Sequence, residues 1–259
     1  MTTPRGRRVA WAPLAVIALV LGGWEAIVRI HAIPHYILPA PTLIARTLWD
    51  HRVSLAWSWL YTLEITFGAL ALAVVGGVLL AAVFALSRRV EQALFPIAIV
   101  LQVTPIIAIA PLILIYVDST TAALLLCAWL VAFFPILSNT VIGLRAADRN
   151  LRDLFRLYQA NRWETLSLLL VPSALPYFLA GLKIAGGLSL IGAVVAEFTA
   201  GAAGRETGLA SRILEASFRT EIPKMFAALA LVSATGIAIF ALFGALSRRL
   251  LGRWHDSES

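Results

Sequence analysis

Six apolar stretches set the limits on what this chain can become. A helix rises about 1.5 Å per residue, so about 20 mostly apolar residues carry it across the hydrocarbon layer of a membrane. Residues 11–30, 61–86, 93–116, 121–144, 173–199 and 225–247 all reach that length with few charges. Lipid offers no partner to a backbone N–H or C=O, which leaves helices and closed barrels as spanning structures. A barrel needs many ten-residue segments of alternating polarity, whereas these runs are apolar all round. The expectation is an all-α polytopic membrane protein with about six transmembrane helices. A single domain covers residues 11–250, with polar tails at 1–10 and 251–259.

Composition narrows the function classes. Apolar and aromatic residues make up 60% of the chain and charged residues only 14%, an excess no ordinary water-soluble domain carries. The net charge of +7 sits in clusters between the apolar runs and not along one exposed face, which argues against a nucleic-acid partner. The single Cys127 excludes a disulfide framework and a multi-cysteine metal centre. His31 and His35 have a helical metal-ligand spacing, but Pro34 between them breaks the helix, so no metal site is expected. Neither a Ser-His-Asp set nor a catalytic carboxylate pair stands out, and the chain reads as a non-enzyme.

Arg5, Arg7 and Arg8 precede the first run in the manner of a secretory signal. The run is longer than a signal core, carries Glu25, and lacks a small-residue cleavage site, so it is read as a retained helix. Arg and Lys near a span are held on the cytoplasmic side. With the N-terminus inside, thirteen basic residues fall on inner segments and seven on outer ones. Both termini are therefore expected in the cytoplasm.

The inner loop, residues 145–172, is too polar to span and too patterned to be formless. Leu151, Leu154, Phe155 and Tyr158 fall at i, i+3, i+4 and i+7, opposite Arg152, Asp153, Arg156 and Gln159, which predicts an amphipathic helix. Asn161 with Glu164 three residues on is a capping box that starts a second short helix. Such a helix can lie in the lipid interface or dock in a groove of a partner protein, and the pattern alone admits both.

The stretch from Asp153 to Pro172 and into the next span resembles the membrane subunits of binding-protein-dependent ABC importers of type I architecture. Within them it is most similar to the nitrate, sulfonate and taurine branch. The family loop opens Glu-Ala-Ala, has Gly six residues after the Glu and closes Leu-Pro; here Asp153, Leu154 and Phe155 open it, Gln159 stands at the Gly position, and Val171-Pro172 closes it. Arg162-Trp163, Ala174-Leu175-Pro176, the run Phe133 to Thr140 and, more weakly, Pro105 to Pro111 extend the resemblance over roughly residues 60–250.

The resemblance implies a permease subunit of the bacterial inner membrane whose loop helix couples to a separate ATPase dimer. The coupling residues it implies are Leu151, Asp153, Leu154, Phe155, Arg156, Leu157, Tyr158, Gln159, Ala160, Arg162 and Trp163. It also implies a periplasmic or lipid-anchored solute-binding protein and a second, identical permease subunit. Because no GxxxxGK[ST] phosphate loop occurs, ATP and magnesium are assigned to the partner, and no cofactor to this chain. The cargo implied is a sulfonate-, taurine- or nitrate-like anion, or a pyrimidine-type vitamin precursor.

Ionisable groups within spans are costly and each asks for a reason. Glu25 and Glu197 are expected to reach interfacial water from the outer ends of their spans, and Lys183 to snorkel inward. Prolines within spans are tolerated where a cavity or a neighbouring helix satisfies the freed carbonyl. On that ground Pro105, Pro111 and Pro135, with Asn139 and Glu64, form the candidate translocation set. Gly181, Gly186, Gly187 and Gly192 give the fifth span a small-residue face for packing within the chain or against a second subunit. A secondary transporter is the rival class; it would show midplane charges and an inverted repeat, and neither stands out. An intramembrane enzyme would need a polar group deep in a span, which is not evident either.

Overall fold

The computed structural model describes residues 12–201 and 207–252. The tail with Arg5, Arg7 and Arg8, the middle of the Gly201–Gly208 segment and the tail after Gly252 lie outside the described residues. The described chain forms α1 (Ala12–Ile30), α2 (Pro41–Asp50), α3 (Arg52–Leu86), α4 (Arg88–Val103), α5 (Ile106–Tyr116) and α6 (Thr120–Arg145). It continues as α7 (Arg149–Leu157), α8 (Arg162–Thr165), a π-helical turn (Leu166–Leu170), α9 (Val171–Ala200), α10 (Leu209–Phe218) and α11 (Ile222–Leu251).

Among these, α6 and α9 form the centre. Half of the most apolar stretch of each is buried, against a third in α3 and 6% in α1, which lies at the rim. Small residues let the central helices approach closely. A Cβ on Gly192 would lie 2.8 Å from the backbone of Ala128, and one on Gly143 equally near Ala174. Gly181 packs on Asn139 and Pro135, and Gly77 of α3 on Ile136. Gly181, Gly186 and Gly192 of α9 therefore serve packing within the chain. Gly186 meets Phe243 of α11, and only Gly187 of the four has open space beside it. Hydrogen bonds between helices add direction: the Ser189 hydroxyl donates to Thr66 O at 2.7 Å, and Trp59 Nε1 to Thr235 Oγ1 at 2.8 Å.

The expected third span, 93–116, is two helices set at 99° to one another. Pro105 lacks an N–H and drives the residue before it out of the helical region; Thr104 is extended, at φ −66° and ψ 121°. Pro105 thus becomes the N-cap of α5 and not a kink within one helix. Pro96, Pro111 and Pro135 stay inside continuous helices. Among the described residues, five helices are long and apolar enough to cross a membrane, and six if the bent pair counts as one span. The second of them begins at Arg52, well before residue 61, so its 35 residues extend about 52 Å, beyond the hydrocarbon layer.

The charges near the spans have partners where water was expected. The Glu25 carboxylate accepts from the Thr42 N–H at 3.0 Å and the Thr42 hydroxyl at 2.8 Å, capping α2 from α1. Glu197 is 1% exposed; it accepts from the Ala210 N–H at 2.9 Å and the Thr62 hydroxyl at 2.8 Å, and so caps α10. A carboxylate at a helix N-terminus satisfies orphan donors and opposes the helix dipole. Lys183 lies over the Phe240 ring, 4.0 Å from its centroid, a cation–π contact in place of a free ammonium. On α10 itself, the Arg212 guanidinium, 2.7 Å away, holds the Glu215 carboxyl below the usual carboxylate range.

Candidate functional site

The loop segment 145–172 emerges where α6 ends, and local chemistry shapes each part of it. The Asp148 carboxylate accepts from the Asn150 N–H at 2.7 Å and starts α7. Two backbone bonds close it: Ala160 N–H to Phe155 O and Gln159 N–H to Arg156 O, both 3.0 Å. These are the bonds of a Schellman motif, which places Gln159 in the left-handed region at φ 55°. A Gly at this position, usual in the resembled loop, has a conformational reason: glycine alone adopts that φ freely. Gln159→Gly is expected to raise the melting temperature of the purified protein by about 2 °C, and Gln159→Val to lower it, in a thermal-shift assay.

The expected capping box is present. Asn161 N–H donates to Glu164 Oε2 at 2.7 Å, and Glu164 N–H to Asn161 Oδ1 at 2.8 Å. The helix so begun does not stay separate, however; it runs through the π turn into α9 as one continuous rod, Arg162–Ala200. Pro172 would clash with the carbonyl four residues back, and just before it the ladder shifts register, with Val171 N–H bonding Leu166 O.

No residue of α7 is buried. Its apolar face differs from the expected stripe by one residue: Leu151, Leu154, Leu157 and Tyr158 are exposed, at 45%, 43%, 81% and 80%, while Phe155 is half-buried. Tyr158 sits at the C-cap. Trp163 on the next helix is 69% exposed. Asp153 and Arg156 form a 3.4 Å ion pair open to water, which contributes little to stability. Arg162 is exposed and Ala160 half-buried. An apolar helix face with this geometry is anchored by caps at both ends and covered by nothing among the described residues.

Arg152, read from the sequence only as part of the polar face, has a structural role. Its Nη2 donates to Leu144 O at 3.1 Å and Arg145 O at 2.8 Å, satisfying the open carbonyls at the end of α6 and tying α7 to it. Beside it Glu91 pairs with Arg145. A basic residue a few positions past a helix end is the sequence signal that points to such a cap.

The translocation candidates lie on α3, on α6 and at the start of and within α5. Pro105 lines a cavity of about 250 Å³ at the α4–α5 break, with Gln102, Thr104, Val131 and Leu188. Pro111 lies inside α5. Pro135 is buried between α6 and α9, and Asn139 Nδ2 donates to its carbonyl at 2.8 Å. Glu64 is exposed on the side of α3.

Against this geometry, a model of the family described as binding-protein-dependent transport system inner membrane component matches residues 73–252. The riboflavin transport system permease protein RibX of Chloroflexus aurantiacus is 36% identical over 98% of this chain and 96% of its own length. The formylaminopyrimidine transport permease protein ThiX of Halalkalibacterium halodurans is 34% identical over 93% and 95%. The putative aliphatic sulfonates transport permease protein SsuC of Bacillus subtilis is 27% identical over 98% and 91%. Among solved structures, the crystal structure of an amino acid ABC transporter with histidines superposes with a TM-score of 0.63. It is 16% identical and covers 78% of this chain and 96% of the other, a likeness of fold.

Proposed function

The chain belongs to the binding-protein-dependent transport system inner membrane component family, and from that premise we propose that it carries a small nitrogen heterocycle across the membrane. It is a multi-pass transport permease subunit. The finer reading has this chain form the path, a separate ATPase dimer turn over ATP and magnesium, and an external binding protein deliver the solute. The observation that carries it is the uncovered apolar face of α7, held rigid by Asp148 at one end and a Schellman closure at the other. A helix so presented suits a groove on a partner protein, with the apolar side chains as anchors.

In this reading the α7 end faces the cytoplasm, in keeping with Arg88, Arg89, Arg145 and Arg149 clustered there, and both termini lie on that side. A second, identical copy completes the path. Two of the relatives more than 30% identical over nearly the whole chain are named for riboflavin and formylaminopyrimidine, which favours a heterocyclic cargo over a sulfonate or nitrate.

Purifying the tagged chain from its native membrane in mild detergent tests the assembly. Recovery of an ATPase chain carrying the phosphate-binding loop, in equal amount, is the expected result. Proteoliposomes holding that complex and the cognate binding protein should then take up labelled riboflavin or formylaminopyrimidine only with ATP inside. Uptake by the lone chain without ATP would overturn the proposal in favour of a secondary transporter.

A further inference from the structure

We infer that the α7 end holds a binding site for one anionic phospholipid, with the phosphate among arginines and an acyl chain in a groove between α3 and α9. A cavity of about 350 Å³ lies behind α7, lined by Arg88, Arg145, Arg152 and Arg156 with Glu91 as its acid. Glu91 is committed to Arg145, and Arg156 pairs with Asp153 only at 3.4 Å in open water. Arg88 has no ion-pair partner among the described residues. The Nε of Arg152 is buried without a hydrogen-bond partner, while the same guanidinium is fixed by the two carbonyls of α6. A buried unpaired donor on a held guanidinium, with excess positive charge around it, is an incomplete anion site. Guanidinium groups match phosphate oxygens in charge and geometry.

The tail has its own place. An open groove of about 550 Å³ runs along α3 and α9, lined almost wholly by apolar side chains such as Val75, Val78, Leu79, Leu175 and Phe178. Leu144 is a wall of both the basic cavity and the groove. A smaller pocket adjoins both, sharing Leu170 and Thr165 with the cavity and Leu166 with the groove, and adding Arg162. Basic head-site and apolar tail-groove thus lie side by side against the same wall residues, which is the layout of a two-part amphiphile. A free phosphate would use only the first part. Basic pockets between spans at the membrane surface are suited to anionic headgroups.

The test uses the purified full chain and native mass spectrometry with dioleoylphosphatidylglycerol, and dioleoylphosphatidylcholine as the uncharged comparison. The wild type should retain phosphatidylglycerol about tenfold better than phosphatidylcholine. Arg88→Gln with Arg152→Gln should abolish the difference, and Arg46→Gln with Arg219→Gln, equal in charge but at the opposite end, should keep it. Because Arg152→Gln also removes a helix cap, Val78→Trp provides a second arm. It leaves every arginine in place and fills the groove, and it too should cut retention. Unchanged phosphatidylglycerol retention in Val78→Trp would overturn the proposal. So would displacement of the lipid by inorganic phosphate as readily as by the lipid itself, which would mark a free-anion pocket. Dissociation of a dimer by Val78→Trp, with lipid retention intact, would assign the groove to a second copy of this chain.

Discussion

Replacing Leu154 and Tyr158 together by Asp is expected to stop ATP-driven uptake while leaving the chain folded and inserted. Both side chains are substantially exposed, at 43% and 80%, so neither supports the packed core, and surface changes of this kind alter stability by roughly 0.5 kcal/mol or less each. The caps that shape α7 belong to Asp148 and to backbone groups, and they survive the change. In a docked groove the same two positions would each bring an unpaired carboxylate into apolar contact. Buried anchors of an interface are worth about 2 kcal/mol or more apiece, so the pair predicts a fall in coupled uptake approaching about a thousandfold. The check is transport and ATP hydrolysis measured side by side in proteoliposomes, with expression and elution profile as the folding controls. Uptake at the wild-type rate would remove α7 from the coupling role.

The second large effect is predicted at the other end of the bundle. Glu197→Ala should lower stability by about 3 kcal/mol, seen as a drop of roughly 10 °C in thermal unfolding. The carboxylate joins three elements: α9, which carries it; α3 through the Thr62 hydroxyl; and α10 through the Ala210 N–H. Thr62 Oγ1 in turn accepts from the Leu209 N–H at 2.9 Å. Alanine leaves the Ala210 N–H buried without a partner, opens a void, and removes the carboxyl group that caps the start of α10. Glu197→Gln keeps one carbonyl oxygen and should lose less. Gly208→Ala should mimic the alanine variant from the opposite side, because a Cβ there would stand 2.1 Å from the Glu197 carboxylate. Wild-type melting of both Glu197→Ala and Gly208→Ala would show that the contact holds nothing together.

Several parts of the site were readable because their causes are local. The Asn161–Glu164 capping box is a three-residue relation, and it formed as the spacing predicted. The amphipathic loop helix followed from an i, i+3, i+4 pattern, yet that pattern placed Phe155 on the open face and overlooked Leu157. Periodicity gives a direction around the helix and says little about what stands opposite. The role of Arg152 depended on where α6 ends in space. The glycines of α9 could be recognised as a packing surface, but their partners, Ala128, Asn139 and Phe243, lie far away in sequence.

Apolar run length, which sums over some 20 neighbouring residues, was enough to establish an all-helical membrane protein, the approximate position of its spans and the polar segment between two of them. Family resemblance rested on similarly contiguous motifs. Tertiary structure alone decided that the Pro105 region is a 99° break, that Glu25 and Glu197 cap helices where the sequence suggested water, and that a basic cavity lies beside an apolar groove. Each of these depends on which groups meet across the bundle. The partners are separated by 17 residues for Glu25 and Thr42 and by 135 for Thr62 and Glu197. A charge that looks costly along the chain becomes a cap only when folding brings an orphan N–H to it.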